Sequence, residues 1–250
     1  MRLIPLEMNL VVDVGNTLIK LAVFNGNNQV FKKTVLKTDF DKALDFLYEE
    51  FGTIEKAMLS VVGTFSDKSR AKLEKRMKVH FISPSTKLPF ANKYTTPETL
   101  GFDRIALVSA AASQFPNKNV LIIDVGTCIT YDIINNEGHY LGGAISPGID
   151  MRYKALNYFT EKLPLLDANL PHKLTGNSTQ TSIHSGIING VSFEIDGIIT
   201  AYKQENQDLT VILTGGNAHF LRDRLKNSIF ANPNFLLEGL NFLLEFNQNT

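Results

Sequence analysis

The sequence predicts an α/β chain made of two duplicated domains with a cleft between them, and three observations carry that expectation. In the stretch NLVVDVGNTLIKLAVFNGNNQVF, residues 9–31, a loop Asp13-Val14-Gly15-Asn16-Thr17 lies between two apolar runs, and Asn25-Gly26 is the dipeptide of a tight hairpin. In NVLIIDVGTCITYDIINNEGHYLGGAISPG, residues 119–148, the same order returns: a strand into Asp124-Val125-Gly126-Thr127, a second strand, a Gly-containing turn at 136–138 and a third strand. Each copy opens roughly half of the chain, and between them helical and strand patterns alternate. Domains over 9–116 and 117–250 follow.

The elements are justified in turn. Residues 39–51 have the apolar spacing of an amphipathic helix with Asp39 as its cap, 57–62 form a strand, 66–77 a charged surface helix and 79–82 another strand. After Pro97 a loop leads into an apolar helix from about Arg104. In the second half, 148–163 and 179–205 read as helices, 209–213 as a strand running into Thr214-Gly215-Gly216 at a helix start, and 234–246 as a last strand and helix. The leader MRLIPLE has too short an apolar core for a signal peptide, and Met8 directly precedes the first strand, so residues 1–7 read as an upstream start or as an added, non-native remnant, with no assigned role.

Bulk properties narrow the function classes. With 250 residues and 44% hydrophobic content the chain can bury a sizeable core. Lys+Arg 25 against Asp+Glu 25 gives no basic surplus, which argues against a general nucleic-acid binder. No apolar run reaches the ~18 residues of a membrane helix. The single cysteine, Cys128, excludes an internal disulfide and fits a reducing compartment, with the cytoplasm as default.

Several residues have chemistry to offer, each beside a plainer role. An acid at the end of a buried strand is costly unless partnered, so Asp13 and Asp124, each leading into a Gly/Thr loop, suit a phosphate or a metal, although a structural turn explains either copy alone. Thr214-Gly215-Gly216 is a strand-to-helix turn or a glycine platform for a nucleotide. Asp103 at a loop-to-helix junction caps the helix, accepts a hydroxyl proton, or both, and Arg104 suits an acidic substrate. Lys20 faces the phosphates or projects from the sheet; Cys128 is a small buried residue; Tyr94 is a loop aromatic. Histidines 80, 139, 172, 184 and 219 lack ligand spacing, which argues against a histidine-bound transition metal.

Taken in order, Asp13-Val-Gly-Asn-Thr17, Gly101-Phe-Asp-Arg104, Asp124-Val-Gly-Thr127 with Thr130, GGAISPG at 142–148, GNSTQTSIHSGI at 176–187 and Thr214-Gly-Gly216 resemble the type III pantothenate kinases. That family lies within the superfamily of acetate kinases, sugar kinases, heat-shock cognates and actin, and the resemblance implies duplicated ribonuclease-H-like (actin-like ATPase) domains. It implies ATP-dependent phosphorylation of pantothenate to 4′-phosphopantothenate, the first step of coenzyme A biosynthesis. The alternatives are another small-molecule kinase of the superfamily or a non-catalytic nucleotide-binding regulator. By position, the resemblance makes Asp13, Val14, Gly15, Asn16, Thr17, Leu18, Ile19, Lys20 and Thr127 ATP-binding and Asp103 the proton acceptor. Tyr94, Gly101, Phe102, Asp103, Arg104 and Thr179 become pantothenate-binding, and Asp124 the acid for a monovalent cation, K⁺ or NH₄⁺, beside the nucleotide's Mg²⁺. It also implies a cytoplasmic homodimer with ATP and pantothenate as ligands and no nucleic-acid or membrane partner. Phe102, Cys128 and the Gly176-Asn-Ser-Thr179 segment depart from the family's commoner residues.

Overall fold

In β1 (Met8–Val14) every residue from Asn9 onward is buried, as expected of a strand covered on both faces. The computed structural model that shows this describes residues 8–52 and 54–248, so the leader 1–7 lies outside the described residues. β1 pairs antiparallel with β2 (Leu18–Asn25), and β2 antiparallel with β3 (Asn28–Leu36). On its other side β1 runs parallel to β4 (Ile54–Val61), and β4 parallel to β5 (Lys78–Phe81), giving the order β3-β2-β1-β4-β5.

Helical periodicity covers one face of this sheet. α1 (Phe40–Phe51) buries Phe40, Ala43, Leu44 and Leu47, the i, i+3, i+4, i+7 stripe, against Leu10, Val12, Ile19, Leu21 and Val23. Truncating a fully buried leucine such as Leu44 to alanine is expected to cost about 2–5 kcal/mol. A 3₁₀ turn, Lys37–Asp39, precedes α1, and Asp39 makes no side-chain cap bond, unlike the cap expected of it. α2 (Asp67–Arg76) is capped by Ser66, whose Oγ accepts the Ser69 N–H at 3.1 Å. A two-residue strand β6 (Ala91–Asn92) leads on toward α3 (Phe102–Gln114), which buries Arg104 through Ala111 without a break.

The second unit, Phe115–Asn234, holds β7 (Asn119–Val125), β8 (Cys128–Ile134), β9 (His139–Pro147), α4 (Ile149–Tyr158), α5 (Thr179–Glu205), β10 (Leu209–Thr214) and β11 (Phe230–Ala231). Its own strands run in the order β9-β8-β7-β10-β11, with the same alternation of antiparallel and parallel pairs as the first unit. The duplication expected from two short motifs therefore extends to the whole sheet. Leu121, Ile123 and Val125 of β7 pack under Ile188, Val191 and Ile195 of α5.

Several boundaries differ from the sequence expectation, among them the last strand, expected within 234–246 and found at Phe230–Ala231. α4 stops at Tyr158, and residues 159–178 form an irregular segment where a helix was expected to reach 163. The Thr214-Gly-Gly turn leads into a single 3₁₀ turn, Ala218–Phe220, in place of a helix. The last helix, α6 (Phe235–Phe246), belongs to the first unit and not to the domain that contains the sequence before it. There it meets α3, and Asn9 Nδ2 donates to Asn241 Oδ1 at 2.9 Å while Asn241 Nδ2 donates to the Gly26 carbonyl at 2.9 Å. Among the described residues no helix is long and apolar enough to cross a membrane.

Candidate active site

In the first unit the site begins at the carboxyl end of β1, the edge where open α/β sheets receive ligands. The Gly15 N–H donates to the Leu18 carbonyl at 3.0 Å and closes a tip on which Asn16, Thr17 and Leu18 are exposed. Asp13 is 5% exposed and lies opposite Lys20 in the β1–β2 register, with Lys20 Nζ 3.3 Å from Oδ2. Lys20 thus turns to the acid that precedes the loop. Burial pushes the Asp13 carboxyl above the usual carboxylate range; Lys20 pulls it back, and the charge of Asp103 adds to the rise. That last influence brings Asp103 into electrostatic reach of Asp13. Val14 and Ile19 are wholly buried in the core, so of the segment from Asp13 to Lys20 these two have only backbone to offer a ligand.

Asp103 lies in the first turn of α3, which starts at Phe102, two residues before the expected start. The carboxylate is therefore inside the helix, where Oδ1 accepts the Arg104 N–H at 2.8 Å. A β-carbon on Gly101 would fall 2.4 Å from the same Oδ1, so the carboxylate is folded against a position that only glycine leaves open. Arg104 is 5% exposed, and its Cζ lies 5.4 Å from the centroid of the Tyr94 ring, within cation–π range. Four residues that the sequence proposes for one ligand, Tyr94, Gly101, Asp103 and Arg104, are thereby neighbours, with the half-buried Phe102 between them in the chain.

The second unit repeats the arrangement with one residue fewer in its loop. Gly126 N–H donates to the Cys128 carbonyl at 3.0 Å, and Asp124 stands opposite Thr130 in the β7–β8 register. Thr130 Oγ1 is buried with no hydrogen-bond partner among the described residues. Gly215, at φ +98°, follows Thr214 and lies so close that a β-carbon there would be 2.3 Å from Asp124 Oδ1. Thr127 is exposed, and its carbonyl accepts the Gly148 N–H at 3.1 Å. Cys128 is half-buried and free.

Thr179 is the first residue of α5, next to a capping box in which Ser178 Oγ accepts from Thr181 N–H at 3.2 Å and Thr181 Oγ1 accepts from Ser178 N–H at 3.0 Å. It borders an apolar groove of about 900 Å³ between α4 and α5, with Met151, Phe159, Ile183 and Ile187 among its walls. Lys37 was missed by sequence reasoning. It sits beside the first loop, and the available signal was its place just after β3, a strand that runs in the same direction as β1.

A family model for type III pantothenate kinase matches residues 9–201. A type III pantothenate kinase from Christiangramia forsetii is 52% identical over 241 residues, spanning 96% of this chain and 99% of that protein. Among solved structures, a Baf family protein from Campylobacter jejuni aligns with a TM-score of 0.63 at 21% identity over 96% of this chain and 100% of its own. A ROK family glucokinase from Streptomyces griseus aligns with a TM-score of 0.54 at 11% identity over 97% of this chain and 100% of its own. These two likenesses bear on the fold, the duplicated ribonuclease-H-like arrangement of actin-like ATPases, and the sequence similarity decides the family. The chain belongs to the type III pantothenate kinases, the phosphotransferases that phosphorylate pantothenate in coenzyme A biosynthesis.

Proposed function

We propose that Asp103 is the proton acceptor of this reaction. The primary hydroxyl of pantothenate attacks the γ-phosphorus of ATP, the bond to the β-phosphate oxygen breaks, ADP leaves, and the hydroxyl proton passes to the Asp103 carboxylate. The observation that carries this is the seating of Asp103: one oxygen is held by the Arg104 N–H and pressed toward Gly101, which orients the other. Arg104, placed over the Tyr94 ring, supplies the cation for the carboxylate of pantothenate, and Gly101, Phe102 and Tyr94 complete its surroundings, with Thr179 as a further contact.

The loop from Asp13 to Lys20 holds phosphates through the exposed tip at Asn16 and Thr17, and Thr127 is a second contact. Mg²⁺ fits the first unit. Asp13 supplies a carboxylate there, and Mg²⁺ needs only one or two when phosphates and water complete its shell. Bound there, it would neutralise charge on the transferring phosphoryl group. A monovalent cation, K⁺ or NH₄⁺, fits Asp124, because the unpartnered Thr130 hydroxyl opposite offers a second oxygen.

The apolar α4–α5 groove, with Phe159 79% and Met151 38% exposed beside it, supports a homodimer formed on this face. The metabolic role of the family and the single cysteine favour the cytoplasm. A coupled ADP-release assay over a panel of pantothenate, sugars and short carboxylates tests the assignment. Release stimulated by pantothenate alone supports it, and equal stimulation by a sugar overturns it.

A further inference from the structure

β3 runs antiparallel to β2, and β2 antiparallel to β1, so β3 ends at the same edge of the sheet as β1 and the parallel β4. Three strand ends meet there: the tip after Val14, the turn after Val61, and Lys37, which follows Leu36. The N–H groups of Val62 and Gly63 both donate to the Val14 carbonyl, at 3.0 and 3.3 Å, and tie the second turn to the first. A β-carbon on Gly63 would lie 2.5 Å from the Gly15 carbonyl oxygen, 3.0 Å from Lys37 Nζ and 3.1 Å from Asn16 Cα. The ammonium therefore shares one small space with the backbone of the Gly15–Asn16 tip.

The charges around it give that ammonium a purpose. Asp13 and Asp103 bring two negative charges to this edge, the Lys20 ammonium is engaged by Asp13, and the Arg104 guanidinium lies over Tyr94. Lys37 is half-buried and makes its contacts to neutral oxygens: Nζ donates to the Thr64 carbonyl at 2.8 Å and lies 3.4 Å from Thr64 Oγ1. An ammonium has three donors. The Thr64 carbonyl takes one and the hydroxyl at most a second, which fixes the position of the head and leaves a donor and the full charge for an anion.

We infer that Lys37 is a second phosphate-binding cation of the nucleotide site, donating to the ATP polyphosphate from the Gly63 side of the Gly15–Thr17 tip. A plain role as a tether for the Thr64 carbonyl would account for one of its donors and would give no reason for a half-buried cation with no carboxylate partner among the described residues, set against the Gly15–Thr17 tip. The inference rests on the assignment of the Asp13–Lys20 segment to ATP. It assigns to a residue outside that segment the charge that Lys20, paired with Asp13, supplies only in part.

The test is steady-state kinetics of pantothenate-dependent ADP release by the full chain, for wild type, Lys37→Met, Lys37→Arg and Asp13→Ala, with urea unfolding of each. Loss of one charge-assisted hydrogen bond to a phosphate corresponds to about a tenfold change in affinity. Lys37→Met is expected to raise the KM for ATP about tenfold with the KM for pantothenate unchanged, and Lys37→Arg to recover most of it. A KM for ATP within twofold of wild type in Lys37→Met overturns the inference when Asp13→Ala is impaired, since the nucleotide segment then stands without Lys37. If Asp13→Ala is also unimpaired, the nucleotide assignment fails and takes the inference with it. Equal rises in both KM values together with a lowered unfolding midpoint mean that Lys37 only tethers Thr64, which also overturns it.

Discussion

Thr130 stands opposite Asp124 across the β7–β8 pair, at the register position that Lys20 occupies opposite Asp13 across β1–β2. The two copies of the motif thus place the same acid at the end of the same strand and give it different company. In the first unit a covalently attached cation faces the acid. In the second, the facing side chain is a hydroxyl, buried and without a hydrogen-bond partner among the described residues. A hydroxyl and a carboxylate are oxygen ligands, and oxygen ligands suit a hard cation.

Activity is accordingly expected to need K⁺ or NH₄⁺ in addition to Mg²⁺. Both Asp124→Asn, which removes the charge, and Thr130→Val, which removes the second oxygen, should raise the K⁺ concentration for half-maximal activity, the first more than the second. ADP release measured against K⁺ at constant ionic strength checks this. Full wild-type activity in sodium-only buffer would contradict it.

For Asp103 the position inside α3 sharpens the test. The asparagine amide oxygen can accept the Arg104 N–H as the carboxylate does, so Asp103→Asn should melt close to wild type and bind ATP. What it loses is proton acceptance, for which a drop of roughly 10²–10⁴-fold in kcat is typical. A variant turning over within a few-fold of wild type would leave Asp103 an orienting group.

Gly101→Ala probes the same carboxylate without touching it. The new methyl would sit 2.4 Å from Oδ1, and the side chain must swing away to relieve the contact. Misplacement of a catalytic group by about 1 Å can cost on the order of 10²-fold in rate. A fall in kcat of about ten- to a hundredfold, with a small change in melting temperature, is the expected outcome; unchanged kinetics would show that the seat against Gly101 does not matter.

Asp13 should trade stability for function. Its folded pKa is raised by burial, so a proton bound at Asp13 favours the folded state; that contribution is complete below the unfolded value of 3.8 and is lost as pH rises through the folded value. Once ionised, the buried carboxyl is a net cost to the folded state. Asp13→Asn is therefore expected to melt higher than wild type at pH 7, and the gap should close as pH falls toward 4. Its use of ATP should fall at the same time. Melting curves from pH 4 to 8 decide the sign, and a lower melting temperature at pH 7 would refute the account.

Much of this architecture is legible in the sequence because its signals are local. Asn25-Gly26 and Gly138 close hairpins, apolar runs end in Asp-Val-Gly twice, and α5 begins at Thr179 and ends at Glu205 as its pattern suggests, since Ser178 and Thr181 write the cap into four consecutive residues. What escaped is non-local. Nothing in the segment Phe235–Phe246 announces that its apolar face lies against α3, and the start of α3 at Phe102 is hidden because Gly101 contributes no side-chain cap. The placement of Lys37 depends on strand direction across three paired strands, and the Lys20–Asp13 pair on a register that a linear reading leaves open.

The return of α6 to the first unit makes that unit discontinuous along the chain, while the second is one unbroken segment. Because a ribosome delivers residues in order, Phe115–Asn234 has all of its own strands and helices available before Phe235 is made, whereas the first sheet waits for the final helix to cover α3 and to receive Asn9. The domain translated first is thus completed last. A stop codon shortly before Phe235 would spare the second unit and take from the first the helix that packs on α3, leaving the strand that carries Asp13 open on the side where Asn241 belongs.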